Sequence, residues 1–126
     1  MKNPVILIAD DDSALLTAMS LRLQSEGYRV FTTQDGYQAL AIARREQPDL
    51  LILDINMPAG SGISVQQRIQ AIGEIITPPV IFITGNEITE PIAEEINHRN
   101  ARILQKPFDT CALLATVREC LLEYAK

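Results

Sequence analysis

Carboxylates, one ammonium and one hydroxyl stand at the ends of short apolar runs in this sequence. Asp10, Asp11 and Asp12 follow the run at 5–9, Asp54 follows 50–53, Thr84 closes 80–84 and Lys106 follows 102–105. Grouped carboxylates repel one another and shift toward protonation unless a cation compensates them. The donors are oxygens with no His or Cys beside them, a hard set that suits Mg²⁺ or Mn²⁺ better than zinc. So few carboxylates imply a shell completed by water and phosphate. A carboxylate can also be the nucleophile of phosphoryl transfer, giving an aspartyl-phosphate. The metal and Lys106 would then neutralise charge on the transferring group while the Thr84 hydroxyl donates a hydrogen bond to it.

The elements that must position these groups follow from the apolar pattern. Runs at 5–9, 28–33, 50–53, 80–84 and 102–105 are of strand length. The intervals between them carry helical patterning. Leu15, Met19 and Leu23 repeat at i, i+4, i+8 before Gly27, and Asp35 with Gln38 resembles a capping box for a helix holding Ala39, Leu40, Ile42 and Ala43. A third helix should start near Ser61 or Gly62. A fourth should start near Thr89, with Pro91 in its first turn, where a missing N–H does no harm. A fifth follows Asp109 and buries Leu113, Leu114, Val117 and Leu121, which read as core rather than a partner groove.

Five strands alternating with five helices predict an α/β fold with a doubly wound, five-stranded parallel sheet. Runs such as Val5-Ile6-Leu7-Ile8 are apolar at every position, so both faces of the sheet should be covered. Ligands of open α/β sheets bind outside the carboxyl ends of the strands, where all the candidate groups fall. Taken singly, each has a plainer explanation. The acidic run would complement a helix N-terminus, Thr84 suits a strand end, and Lys106 would be a solvated charge. Their convergence from four segments favours chemistry.

Composition narrows the classes. At 126 residues, with 47% apolar and 21% charged residues, the chain has the balance of one globular domain, read as residues 1–126 with no output domain. No apolar run approaches a bilayer span and no secretory signal is legible, so a cytoplasmic location and no membrane partner are expected. A net charge of −5 gives no electrostatic reason for direct nucleic-acid binding. Cys111 and Cys120 lack metal-ligand spacing and read as buried thiols, and His98, the one histidine, reads as a surface residue.

Across essentially its whole length the chain resembles the response-regulator receiver family. The resemblance rests on Val5-Ile-Leu-Ile-Ala-Asp-Asp-Asp12, Leu53-Asp-Ile-Asn-Met-Pro-Ala-Gly-Ser-Gly62, Val80-Ile-Phe-Ile-Thr-Gly85 and Lys106-Pro-Phe108, in that order. It implies a flavodoxin-like strand order, 2-1-3-4-5. It assigns Asp54 as phosphoacceptor, Asp11 as a direct metal ligand, Asp10 as a ligand through water, and the Asn56 backbone carbonyl as a further metal donor. Lys106, Thr84 and the Gly85 N–H would contact the phosphoryl group, and the Lys106-Pro107 bond would be cis. The side chains of Asn56 and Asn86 would influence how long the phosphoryl group survives.

The partners so implied are a sensor histidine kinase or histidine phosphotransfer protein, a downstream effector or fused output domain, and a second copy in a homodimer. The chain would be a signalling switch and not an enzyme in its own right. It departs from the family at Ile103, where Tyr or Phe is frequent, and at His98-Arg99-Asn100-Ala101, where a Gly-Ala pair is common. Three other functions compete. An unphosphorylated receiver-like interaction module gains support from Ile103. An aspartyl-phosphate hydrolase wants an acid where Asn56 stands, and a flavodoxin-like cofactor module wants a Ser/Thr/Gly-rich loop where the three aspartates stand.

Overall fold

A computed structural model describes residues 3–57, 61–72, 78–85, 94 and 101–124. Its elements are β1 (Val5–Ala9), α1 (Ser13–Ser25), β2 (Arg29–Thr33), α2 (Gly36–Glu46), β3 (Leu50–Asp54), α3 (Gly62–Ile72), β4 (Val80–Thr84), β5 (Arg102–Gln105) and α4 (Thr110–Tyr124). The five strands form one parallel sheet in the order β2-β1-β3-β4-β5. Four of the five expected helices lie among the described residues. The helix expected near Thr89, together with Asn86 and His98-Arg99-Asn100, lies outside them.

Side chains alternate across the sheet with period two and so supply two cores. Ile6, Ile8, Leu50, Ile52, Ile81 and Ile83 pack beneath α1 and α4, against Leu16, Met19, Leu23, Leu113 and Val117. Leu7, Leu51, Leu53, Val80 and Phe82 pack on the opposite face, against Ala39 and Ala43 of α2 and Val65 and Ile69 of α3. Each fully buried side chain of this size contributes about 1.5–3 kcal/mol. Two-sided burial is therefore why β1, β3 and β4 read as unbroken apolar runs. No described helix is long and apolar enough to cross a membrane.

Capping sets the helix ends. Asp35 Oδ1 accepts from the Gln38 N–H at 2.7 Å to open α2. The reciprocal half of a capping box is replaced, because the Gln38 side chain faces the Thr33 hydroxyl at 3.4 Å. Gly27, with φ +92°, takes the left-handed conformation just beyond α1. At the outer edge Arg102 bridges Glu119 and Glu123 of α4, at 3.1 and 2.6 Å, and so braces β5 against that helix.

One thiol expectation is corrected. Cys120 is buried, but Cys111 is exposed. It precedes Leu113 by two residues, roughly 200° around the helix, and so points away from the core stripe.

Candidate functional site

Strand parity decides which acids turn inward. Asp10 continues the alternation of Ile6 and Ile8, and Asp54 that of Leu50 and Ile52, all on the α1/α4 side of the sheet. Asp10 and Asp54 are accordingly buried, with 0% and 3% exposure, whereas Asp11 is exposed. Lys106 follows Leu104, which packs on that same core.

Lys106 Nζ lies 2.8 Å from Asp10 Oδ2 and 3.3 Å from Asp54 Oδ2. The approach to Asp54 is a hydrogen bond. The approach to Asp10 is a close ion pair without hydrogen-bond alignment, so Asp10 Oδ2 is a buried oxygen that lacks a hydrogen-bond donor. The other carboxylate oxygens are held by the backbone. Asp10 Oδ1 accepts from the Asp12 N–H at 2.8 Å, and Asp54 Oδ1 from the Asn56 N–H at 3.0 Å.

Burial raises the Asp54 carboxyl above its ordinary pKa. The Asn56 N–H opposes that rise, the Asp10 charge adds to it, and Lys106 offsets part of it. Burial also works against the Lys106 charge, but pairing with Asp10 and Asp54 outweighs this and holds the ammonium above the ordinary lysine value.

Carboxylate oxygens of Asp10, Asp11 and Asp54 lie within 4.8 Å of one another. Together with the orphaned Asp10 Oδ2, this all-oxygen donor set fits a hard divalent cation such as Mg²⁺. Asn56 is exposed and joins the group through its N–H to Asp54.

Thr84 is buried, and its carbonyl accepts from the Lys106 N–H at 2.7 Å. Its parity is that of Val80 and Phe82, facing the α2/α3 core. Gly85 is exposed beside the lysine stem. A Cβ there would stand 3.7 Å from Lys106 Cδ, an ordinary contact, so space alone does not demand glycine. The Lys106-Pro107 bond is cis, as the resemblance implied.

Two supporting residues, Asp12 and Gly62, were visible in the sequence but not in the roles they take here. Asp12 is the N-cap of α1, accepting from the Leu15 N–H at 3.1 Å. Gly62 opens α3 so close to β3 that an added Cβ would lie 2.6 Å from the Asp54 carbonyl oxygen and 3.0 Å from Leu53 Cβ. Its signal is a glycine eight residues past a strand-end aspartate at a helix start.

An open parallel α/β domain whose carboxyl edge gathers three acids and a lysine is the architecture of a signalling receiver. The chain belongs to the response regulator receiver domain family of two-component systems, whose model matches residues 6–118. It is 35% identical over 118 residues to the DNA-binding dual master transcriptional regulator RpaA of Synechocystis sp., covering 94% of this chain and 49% of that protein. It is 33% identical over 121 residues to sporulation initiation phosphotransferase F of Bacillus subtilis, covering 96% of both chains. The chain spans about half the length of RpaA and of the other transcriptional regulators it resembles, such as PrrA of Mycobacterium tuberculosis.

Solved structures agree. The CheY-like receiver domain protein of Methanospirillum hungatei superposes with a TM-score of 0.87 at 26% identity, over 96% of this chain and 95% of that one. Chemotaxis protein CheY4 of Vibrio cholerae gives 0.85 at 29% identity, over 94% and 99%.

Proposed function

We propose that this receiver accepts a phosphoryl group on Asp54 from a histidine kinase or histidine phosphotransfer protein, in the presence of Mg²⁺, and passes the resulting change to a downstream effector or fused output domain. The observation that carries the reading is the Lys106 ammonium set between two buried carboxylates, 2.8 Å from Asp10 and 3.3 Å from Asp54. In the transfer an Asp54 carboxylate oxygen forms the new P–O bond, the P–N bond to the donor imidazole breaks, and that imidazole retains the bonding pair. The Asn56 N–H orients the Asp54 carboxylate. Lys106 offers a positive charge to phosphoryl oxygens arriving at Asp54, and its pairing with Asp10 and Asp54 favours the charged form.

Asp10, Asp11 and Asp54, with the Asn56 carbonyl, would hold the Mg²⁺, and Mn²⁺ would substitute. When bound, the ion supplies charge neutralisation for the phosphoryl oxygens. Thr84 and the Gly85 N–H complete the phosphoryl contacts in this reading. Signalling rather than turnover is the output in this reading, with the domain and its kinase partner meeting in the cytoplasm.

Incubation with acetyl phosphate and Mg²⁺, followed by intact-mass measurement, tests the proposal. One phosphoryl adduct is expected, absent in Asp54→Asn. An adduct that persists in that variant overturns Asp54 as acceptor, and no adduct in the parent favours an unphosphorylated interaction module.

A further inference from the structure

Three adjacent aspartates of identical chemistry have three different fates. Asp10 is fully buried, Asp11 is exposed in the ligand cluster, and Asp12 is turned away into the first turn of α1. Residue 12 is tied on both sides. Its N–H donates to Asp10 Oδ1 at 2.8 Å, its own Oδ1 accepts from the Leu15 N–H at 3.1 Å, and its carbonyl accepts from the Leu16 N–H at 3.0 Å. The helix that holds it is itself fixed, since Leu16, Met19 and Leu23 are buried in the core.

This chain of contacts determines which oxygen Asp10 presents. With Oδ1 pinned by the Asp12 N–H, the carboxylate plane is set and Oδ2 is the atom left toward Lys106, in a carboxylate group whose oxygens come within 4.8 Å of those of Asp11 and Asp54. Asp10 Oδ2 is also fully buried, with the Lys106 ammonium beside it at 2.8 Å but no aligned hydrogen-bond donor.

We infer that Asp12 is a positioning residue for divalent-cation binding: its helix cap holds the residue 12 N–H on Asp10 Oδ1 and thereby aims Asp10 Oδ2 at the ion. The inference rests on the reading of this edge as a Mg²⁺-dependent phosphoacceptor site. Asp12 acts through the geometry of its cap and not through its charge. That separates it from Asp10 and Asp11, whose charges face the ion. Groups that hydrogen-bond to metal-binding side chains and orient them typically influence affinity by about 10- to 100-fold when removed.

The test is calorimetric titration of the folded chain with Mg²⁺ alone, comparing the parent with Asp12→Ala, Asp12→Asn and Asp12→Ser. Asn and Ser cap a helix about as well as Asp but carry no charge. The Ala variant is expected to bind roughly tenfold more weakly, while Asn and Ser return to within about threefold of the parent. If the Ala variant does not fold, Asp12→Gly replaces it, because glycine loses the side-chain acceptor at little cost to the helix start. Parent affinity in Ala or Gly overturns the inference and makes the cap merely structural. Asn and Ser as weak as Ala also overturn it, since charge would then be the contribution. Absence of Mg²⁺ binding by the parent overturns the underlying reading of the site and this inference with it.

Discussion

Lys106 stands closer to Asp10 than to Asp54, by 2.8 Å against 3.3 Å. The lysine thus rests against the oxygen of Asp10 that a cation would claim. The two positive charges would compete for it. Lys106→Met is therefore expected to tighten Mg²⁺ binding, by about tenfold for each 1.4 kcal/mol of repulsion removed. Titration of both proteins checks this, and weaker binding in the variant would contradict it. The same variant should still accept phosphate on Asp54 but lose the spectral shift that accompanies it. An undiminished shift would show that Lys106 does not couple the adduct to conformation.

The raised carboxyl of Asp54 gives a pH dependence of definite sign. A carboxyl whose folded pKa lies above its unfolded value contributes stability below the unfolded value, and that contribution is lost as pH rises through the folded one. Ionised Asp54 therefore weakens the metal-free fold at neutral pH. Asp54→Asn is expected to unfold at higher urea concentration than the parent at pH 7 without Mg²⁺. That advantage should disappear as the pH is lowered below the ordinary Asp value, where the parent carboxyl is protonated too. Urea midpoints across the acid range decide it, and an advantage that grows on acidification would be the wrong sign.

If the proposed site binds Mg²⁺, metal and stability are linked through Asp11, the exposed member of the candidate ligand cluster. At ten times its Kd, Mg²⁺ should stabilise the parent by about 1.4 kcal/mol. Asp11→Asn should lose most of that increment while keeping the metal-free stability nearly unchanged, since an exposed side chain contributes little packing. Thermal melts with and without Mg²⁺ measure both quantities. An equal Mg²⁺ increment in the two proteins would remove Asp11 from the site.

Gly62→Ala should be costly although glycine is ordinarily a poor helix residue. The new Cβ would sit 2.6 Å from the Asp54 carbonyl oxygen, a backbone atom that cannot swing aside. A loss of about 1–3 kcal/mol is expected from overpacking. Phosphorylation by acetyl phosphate should slow as well, because the displaced backbone is that of Asp54, the proposed acceptor. A variant as stable as the parent would show that α3 moves away freely.

Most of the fold was legible because two-sided burial leaves an unmistakable trace. The strands at Val5–Ala9, Val80–Thr84 and Arg102–Gln105 fall where the apolar runs predict, while Tyr28 lies just outside β2 and β3 runs on through Asp54. Helix faces were harder. Leu16 is buried where the spacing favoured Leu15, which is only partly covered, because a two-leucine step lets either neighbour face the core. The buried Gln66 of α3 left no pattern at all, because a glutamine followed by Gln67 and Arg68 reads as part of a solvent-facing stretch. At the site, the residue types were visible but their arrangement was not. Nothing in Asp-Asp-Asp says which member goes inside until the parity of Ile6 and Ile8 is carried forward to Asp10. The pairing of Lys106 with Asp10 depends on two strand ends, β1 and β5, that the linear sequence keeps far apart.

The alternation that buries Ile6, Ile8, Leu50 and Ile52 is the same one that delivers Asp10 and Asp54. The sheet therefore has something like a reading frame. Inserting or deleting one residue within β1 or β3 would exchange the two cores' side chains and send the acid to the wrong face in the same stroke. Length changes in these strands cannot trade chemistry against folding, so drift in this domain is confined to substitutions and to the connections between elements.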